Sequence, residues 1–181
     1  LIALREALGT SSRTHDYGQT LFVARMRGER APDGTAWERF TDSGPTALLP
    51  RGDRAWGVVH GVPSGQAAAV AALDEAGWLA RIQQAFGWRA GRFLGAGERS
   101  AYPIASVVAD ALVAPRAVLL GNAAQTIHPV GAQGFNLGLR DALTLAEGLR
   151  MHAGDPGASS LLQPYAHRRH EDRDRTLAFS D

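Results

Sequence analysis

Two residue types are missing from this chain of 181 residues: it has no cysteine and no lysine. Without cysteine there is no disulfide, no thiolate nucleophile, no cysteine-ligated zinc and no iron–sulfur cluster. All 19 basic residues are arginine. That excludes a Schiff-base lysine and the lysine of a phosphate-binding P-loop. Charge of one sign is lacking too. Nineteen positive against 18 negative residues give a net charge of +1, which argues against a general polyanion binder and against nucleic acid as a partner. Long hydrophobic runs are also absent. The most apolar stretch, Ala111 to Ala124, is broken by Pro115, Arg116 and Asn122, so it is too short and too interrupted to span a bilayer. No leader pattern of basic, apolar and small residues opens the chain. A cytoplasmic protein is the expectation.

What is present is ordinary globular composition, 45% hydrophobic and 20% charged, enough to bury a core without staples. The chain opens on Leu1 rather than methionine, and its last helix ends in a charged run with no stop signal. Both point to a portion of something longer. Leu1 to Gly9 reads as a helical end. Gln19 to Arg27 and Thr35 to Thr41 read as two strands of a hairpin around the Ala31-Pro32-Asp33-Gly34 turn. Thr46–Leu49 and Arg54–His60 continue an antiparallel sheet. A single helix is expected over 64–86, with Ser64 as its N-cap. Arg92 to Pro103 reads as strand and turn, with the glycine-rich Gly91 to Gly97 as a loop, and Ala117 to Leu120 as a short, buried central strand. The final helix runs from about Leu161 to the end.

The stretch from Gly121 to Leu149 carries the most chemistry. It reads as the end of a buried strand, a loop containing Pro129, Gly131 and Gly134, and a helix whose apolar positions are Phe135, Leu139, Ala142, Leu143, Ala146 and Leu149. The helix N-terminus lies near Gln133 to Asn136. Free backbone N–H groups there, with about half a positive charge, suit a negative or electron-rich group. Gly131 and Gly134 let a flat ligand approach the backbone. Asn122, at the carboxyl end of the strand, stands where α/β sheets place polar ligand contacts. A plain strand–loop–helix connection with capping glycines is the alternative.

This stretch resembles the second flavin-binding motif of the aromatic-ring flavoprotein monooxygenases. Their pattern is Gly-Asp-Ala-Ala-His, a proline, then Gly-Gln-Gly-x-Asn and a further Asp in the helix. The likeness is greatest to the ubiquinone-biosynthesis branch, of the 2-polyprenyl-6-methoxyphenol hydroxylase type. It is supported by His15-Asp16-Tyr17-Gly18-Gln19, Ala36-Trp37-Glu38-Arg39-Phe40-Thr41, Gly44-Pro45-Thr46-Ala47-Leu48-Leu49-Pro50, Tyr102-Pro103-Ile104, Pro115-Arg116-Ala117-Val118 and the helix from Tyr165. The resemblance implies FAD as cofactor, held by Gly121, Asn122, Pro129, Gly131, Ala132, Gln133, Gly134, Phe135 and Asn136. Asn122 would face the ribityl and pyrophosphate part, and Pro129 the isoalloxazine. Residues 131–136 would wrap the pyrimidine edge, where reduced flavin carries negative charge. The implied reaction is hydroxylation of a polyprenylated phenol with NAD(P)H and O2, the oxygen chemistry belonging to the flavin. No catalytic side chain is assigned beyond this environment. Three residues depart from the pattern. Asn122 replaces Asp, Gln125 replaces His, and Ala132 replaces the first Gly of Gly-Gln-Gly, with a glycine moved to 131.

The family's GxGxxG segment and its mid-chain Asp-Gly motif are not found in this sequence. The expected class is therefore α+β: an antiparallel or mixed substrate-domain sheet, plus the returning strand and helix of a Rossmann-like FAD domain. The implied division is 1–10 (tail of the Asp-Gly region), 11–110 (substrate-binding domain) and 111–181 (carboxyl-terminal part of the FAD domain). The fragment on its own is expected to bind FAD weakly or not at all and to be inactive. Trp37 and Trp56 are substrate-pocket candidates on the sheet. The six histidines include His167 and His170, three apart on one helix, but no carboxylate completes a metal set and none is assigned. The run from Arg168 to Arg175 reads as a solvated, salt-bridged helix face, with contact to an anionic membrane or a biosynthetic partner as the alternative. Other readings kept open are hydroxylation of another phenol and a non-catalytic lipid-binding or assembly module.

Overall fold

A computed structural model describes residues 2–180. The chain is α+β and divides into two compact units, one of residues 18–104 and one of residues 1–17 with 105–181. The elements are α1 (Ile2–Ala7), β1 (Ser12–Gly28), β2 (Trp37–Thr41), β3 (Gly44–Pro50), β4 (Trp56–Pro63), α2 (Ala67–Ala71), α3 (Glu75–Phe86), β5 (Phe93–Ala109), β6 (Val113–Ala114), β7 (Ala117–Val118), β8 (Gln125–Thr126), α4 (Gly134–Met151) and α5 (Ser159–Ser180).

In the unit of residues 18–104 the strand order is β2-β3-β4-β1-β5. The expected hairpin between the first two strands does not form. β1 pairs antiparallel with β4, from Gln19↔Pro63 to Met26↔Trp56, and β2 pairs with β3, from Trp37↔Leu48 to Thr41↔Gly44. Burial decides this. β1 and β4 both send alternate apolar side chains into the core, whereas β2 is largely exposed and belongs at an edge. The core holds Phe22, Met26, Leu48, Val58 and Val62 against Trp78 and Ile82 of α3.

The expected single helix over 64–86 is broken. A 3-10 turn at Ser64–Gln66 leads into α2, and α3 starts afresh at Glu75. The cap is Asp74, whose Oδ1 accepts from Gly77 N at 2.8 Å. A carboxylate there satisfies an amide that would otherwise be orphaned, so the helix restarts. Ser64 caps nothing; its hydroxyl meets Thr20 Oγ1 at 3.1 Å. Residues 93–97, expected as loop, open the 17-residue strand β5. Gln83 of α3 fixes that start: its Oε1 accepts from Phe93 N at 3.0 Å, while its Nε2 donates to Gly87 O at 2.7 Å.

In the other unit, the end of β5 pairs with β8 at Val107↔Thr126 and Val108↔Gln125. Ala117–Leu120 is not the central strand expected. Only Ala117–Val118 is ladder, paired with β6, and both residues are half-buried. A strand buried on both faces needs neighbours on both sides, and here β6 is its single ladder partner among the described residues. Leu119 is nonetheless buried, and its carbonyl accepts from Tyr165 Oη of α5 at 3.3 Å. No helix among the described residues is long and apolar enough to cross a membrane.

Candidate functional site

Residues 119–141 bring the loop, a short strand and a helix start around one buried carboxylate. Asp141, on the second turn and a half of α4, is 2% exposed. Its Oδ2 accepts from Gly121 N at 3.1 Å and from Gln125 Nε2 at 2.8 Å. Its Oδ1 accepts from Arg169 Nε of α5 at 2.7 Å. Arg169 also donates through Nη2 to Asp172 at 2.5 Å, and Asp172 accepts from Arg140 Nε at 2.8 Å. One carboxylate thus ties the loop after Leu120, the strand β8 and α5 to a single point of α4. Charge-assisted bonds of this kind are about twice as strong as neutral ones.

The loop and helix meet closely. Gly121 is left-handed at φ +50, and a Cβ on Gly138 would lie 3.2 Å from the Gly121 Cα. Both positions therefore need glycine for backbone-to-backbone packing. Downstream, Pro129–Gly131 makes a 3-10 turn, closed by Ala132 N donating to Pro129 O at 2.9 Å. Ala132 has φ +49. It thus keeps the left-handed conformation that a glycine would adopt without cost, and the loop turns here although the glycine stands one residue earlier.

Helix α4 begins at Gly134, and its N-cap residue Gln133 makes no capping side-chain hydrogen bond. The Gln133 amide instead donates to Gly131 O at 3.1 Å. Among the described residues, no side chain caps the first N–H groups of this 18-residue helix, where the positive end of its dipole lies. Beside them is a shallow, mostly apolar groove of about 370 Å³, lined by Leu120, Gly121, Asn122, Gly134, Phe135 and Leu139 among others. Uncapped amides next to an apolar groove fit a flat, electron-rich ring system with a negative edge. No group of three metal-ligating side chains exists among the described residues.

Of the residues expected at the site, Asn122, Pro129, Ala132, Phe135 and Asn136 are exposed, while Gly121, Gly131, Gln133 and Gly134 are half-buried. The loop groups Gly121, Asn122, Gly134 and Phe135 at the groove. Trp37 lies in the other unit, half-buried, with the Arg89 guanidinium 4.2 Å above its ring. Trp56, in the same unit, is 3% exposed and packs within the core. Neither tryptophan belongs to the unit that holds the loop. The sequence did not show the bonds that join Asp141, Gln125 and Arg169, although the motif's further Asp in the helix and the departure at Gln125 pointed to the first two. An aspartate on an otherwise apolar helix was the available signal.

The charged run of α5 is not simply a solvated face. Leu161, Tyr165, Arg169 and Arg173 recur every four residues and are all buried. Arg173 Nη1 donates to Ala109 O at 3.0 Å. Burial holds the Arg173 guanidinium below its ordinary pKa and pushes the Tyr165 hydroxyl above its own. The outer side does carry the expected surface pairs, Arg168–Glu147 at 3.0 Å and Arg175–Glu171 at 2.5 Å. Helix α4 also differs from expectation. The stripe Phe135, Leu139, Leu143 and Leu149 faces outward, with Phe135 80% exposed. The buried face is Leu137 and Asp141.

The start of α4 behind this loop is of a kind that suits a negatively charged or electron-rich group. The chain belongs to the FAD binding domain family, whose signature matches residues 3–180. It is 36% identical over 181 residues to ubiquinone hydroxylase UbiL of Rhodospirillum rubrum, covering 98% of this chain and 42% of that protein. It is 34% identical over 167 residues to ubiquinone hydroxylase UbiM of Neisseria meningitidis, covering 91% of this chain and 36% of the relative. Among solved structures, pqsL of Pseudomonas aeruginosa superposes with a TM-score of 0.75 at 23% identity, over 98% of this chain and 51% of that one, a likeness of fold. The chain thus spans about two fifths of the length of these curated relatives.

Proposed function

We propose that this chain is the flavin-loop and substrate-sheet portion of an FAD-dependent monooxygenase that hydroxylates a polyprenylated phenol in ubiquinone biosynthesis. The observation that carries the reading is the uncapped N-terminus of α4 behind a loop anchored by Asp141, in a chain 36% identical to a ubiquinone hydroxylase. On this reading Gly121, Asn122, Pro129 and residues 131–136 hold FAD. When bound, FAD takes electrons from NAD(P)H and supplies the oxygen chemistry of ring hydroxylation. The chain's own part is binding and electrostatics. The positive end of α4 favours negative charge at the ring edge it faces, without reorganising when that charge appears. Asp141 holds Gly121 and Gln125 so that this end stays presented.

Residues 18–104 would supply the substrate-binding domain. Trp37 is the substrate-side candidate there, and Trp56 would act as packing behind it. The exposed apolar stripe of α4 is the face we assign to the part of the relatives' length that lies outside the match. An exposed stripe of large apolar residues on a helix is normally covered by a neighbour. Without that cover this chain is expected to hold FAD weakly. Contact with the membrane that dissolves a polyprenyl substrate is part of the same reading.

The test uses the complete polypeptide encoded by the gene, given polyprenylphenols, NADH or NADPH and O2. The reading requires a product heavier by one oxygen, formed in step with NAD(P)H consumption. NAD(P)H oxidation that ignores the phenol, with no hydroxylated product, refutes it.

A further inference from the structure

We propose that Tyr17 is a positioning residue for the loop that leads into α4, acting through His128. The inference rests on the reading of that loop as the flavin-holding segment. Tyr17 belongs to the His15-Asp16-Tyr17-Gly18-Gln19 stretch, to which neither the site nor the proposed reaction has yet given a role. Its half-buried ring meets the His128 ring edge-on, centroids 4.6 Å apart at 77°. On its other side it meets His15 at 4.7 Å and 85°. Edge-to-face pairs of this spacing are attractive beyond their buried area.

His128 is 7% exposed and directly precedes Pro129. Proline restricts the residue before it and fixes its own φ, so the placement of His128 passes into the 3-10 turn at Pro129–Gly131 with little slack. That turn ends at Ala132, in a conformation alanine adopts reluctantly. A strained turn needs an anchor. Asp141 supplies one at Gly121 and Gln125, and its remaining bond goes to Arg169 of α5 rather than to the turn at Pro129–Gly131. Tyr17 supplies the other, from a strand outside the loop–helix segment. Gly18, next to Tyr17 in β1, is left-handed at φ +62, a conformation that glycine adopts without steric cost.

The test compares Tyr17→Leu and Tyr17→Phe in this chain by residue-resolved amide hydrogen exchange, followed by titration with free FAD read from backbone amide shifts. In Tyr17→Leu, the Ala132 amide is expected to exchange about three- to tenfold faster, while Leu137 and the rest of α4 hold their protection. The FAD response of Ala132 and Gly134 should weaken by a similar factor. Tyr17→Phe, which keeps the ring, should stay within about twofold of the parent in both measurements. Unchanged exchange at Ala132 in Tyr17→Leu overturns the proposal. So does equal acceleration along the whole of α4, which would make Tyr17 a general stability contact. Loop amides that ignore FAD even in the complete polypeptide encoded by the gene refute the flavin reading, and the exchange comparison still judges the clamp separately.

Discussion

Truncating Asp141 to alanine should release the loop from α4 and α5 together. The carboxylate is 2% exposed and accepts from three donors. Its removal leaves the Gly121 N–H, the Gln125 amide and the Arg169 guanidinium without that partner. Arg169 is itself 5% exposed, so its charge cannot turn to water. Breaking a buried ion pair from one side costs about 3–5 kcal/mol. Arg169 keeps Asp172 at 2.5 Å, which places the expectation toward the lower end. All four tryptophans lie at positions 37–88, inside the unit of residues 18–104, so tryptophan fluorescence is blind to this site. Amide exchange along α4 and α5 is the suitable assay. There, 3 kcal/mol appears as about a hundredfold loss of protection. The double variant Asp141→Leu, Arg169→Met should recover much of the loss, because it leaves no charge stranded. A loss under about 1 kcal/mol in the single variant would mean that the pair behaves as a screened surface bridge, and the anchoring argument would fail.

Three further outcomes follow from the same geometry. Ala132→Gly should stabilise the chain by about 0.5–1 kcal/mol in urea unfolding, since φ +49 costs alanine more than the entropy glycine adds to the unfolded state; a lower midpoint would contradict the strained turn. Gly138→Ala should destabilise by about 1–3 kcal/mol, because its Cβ would stand 3.2 Å from the Gly121 Cα, whereas Gly148→Ala, with nothing within 4 Å, should gain about 0.5–1 kcal/mol. Acid should weaken the unit of residues 18–104 through His60. That ring is 1% exposed, Nε2 accepts from Arg81 Nε at 2.9 Å, and burial with the Arg81 charge pulls its pKa down to about 4. The unfolded imidazole titrates near 6.5, so stability is full above about 6.5 and falls by about 3 kcal/mol as pH drops to about 4. Tryptophan-monitored unfolding should show this, and His60→Gln should flatten the profile between about pH 6.5 and 5; an unchanged slope would clear His60 of the effect.

Sequence patterning located the elements better than their partners. The start of α4 at Gly134 and the strand character of β1 to β4 follow from turn residues and local periodicity. Which strands pair does not, because alternation in β1 fits β2 and β4 equally well. The choice falls to burial, and β2 is too exposed for the centre. The break before α3 was missed because the apolar residues Val70, Leu73, Leu79 and Ile82 keep a near-helical rhythm across it, while the Asp74 cap acts through one carboxylate. The outward face of α4 was misjudged for a related reason. Phe135, Leu139 and Leu143 form the stronger apolar stripe, yet the side turned inward is the one that carries an aspartate. A hydrophobic pattern reports that a face will be covered, not by which neighbour.

The absent lysine gains a structural meaning from α5. Arg169 donates through Nε to Asp141 and through Nη2 to Asp172, two carboxylates met by one planar group. Arg99 donates to the carbonyls of Ala71, Leu73 and Asp74 at the break between α2 and α3, and lies 5.2 Å from the Trp78 ring centroid. Arg173 serves Ala109 O from inside the core. An ammonium is a compact, strongly hydrated point charge and cannot bridge partners this way at the same desolvation cost. At these three positions arginine works as a crosslink between elements. Charge density along α5 therefore points two ways at once. The residues on the 161, 165, 169 and 173 stripe tie the helix to the Asp141 anchor and to β5, and the residues between them meet solvent. Read by composition, the run is a polar face; read at a period of four, it is the inner face of the helix, which reaches the loop after Leu120 through Asp141.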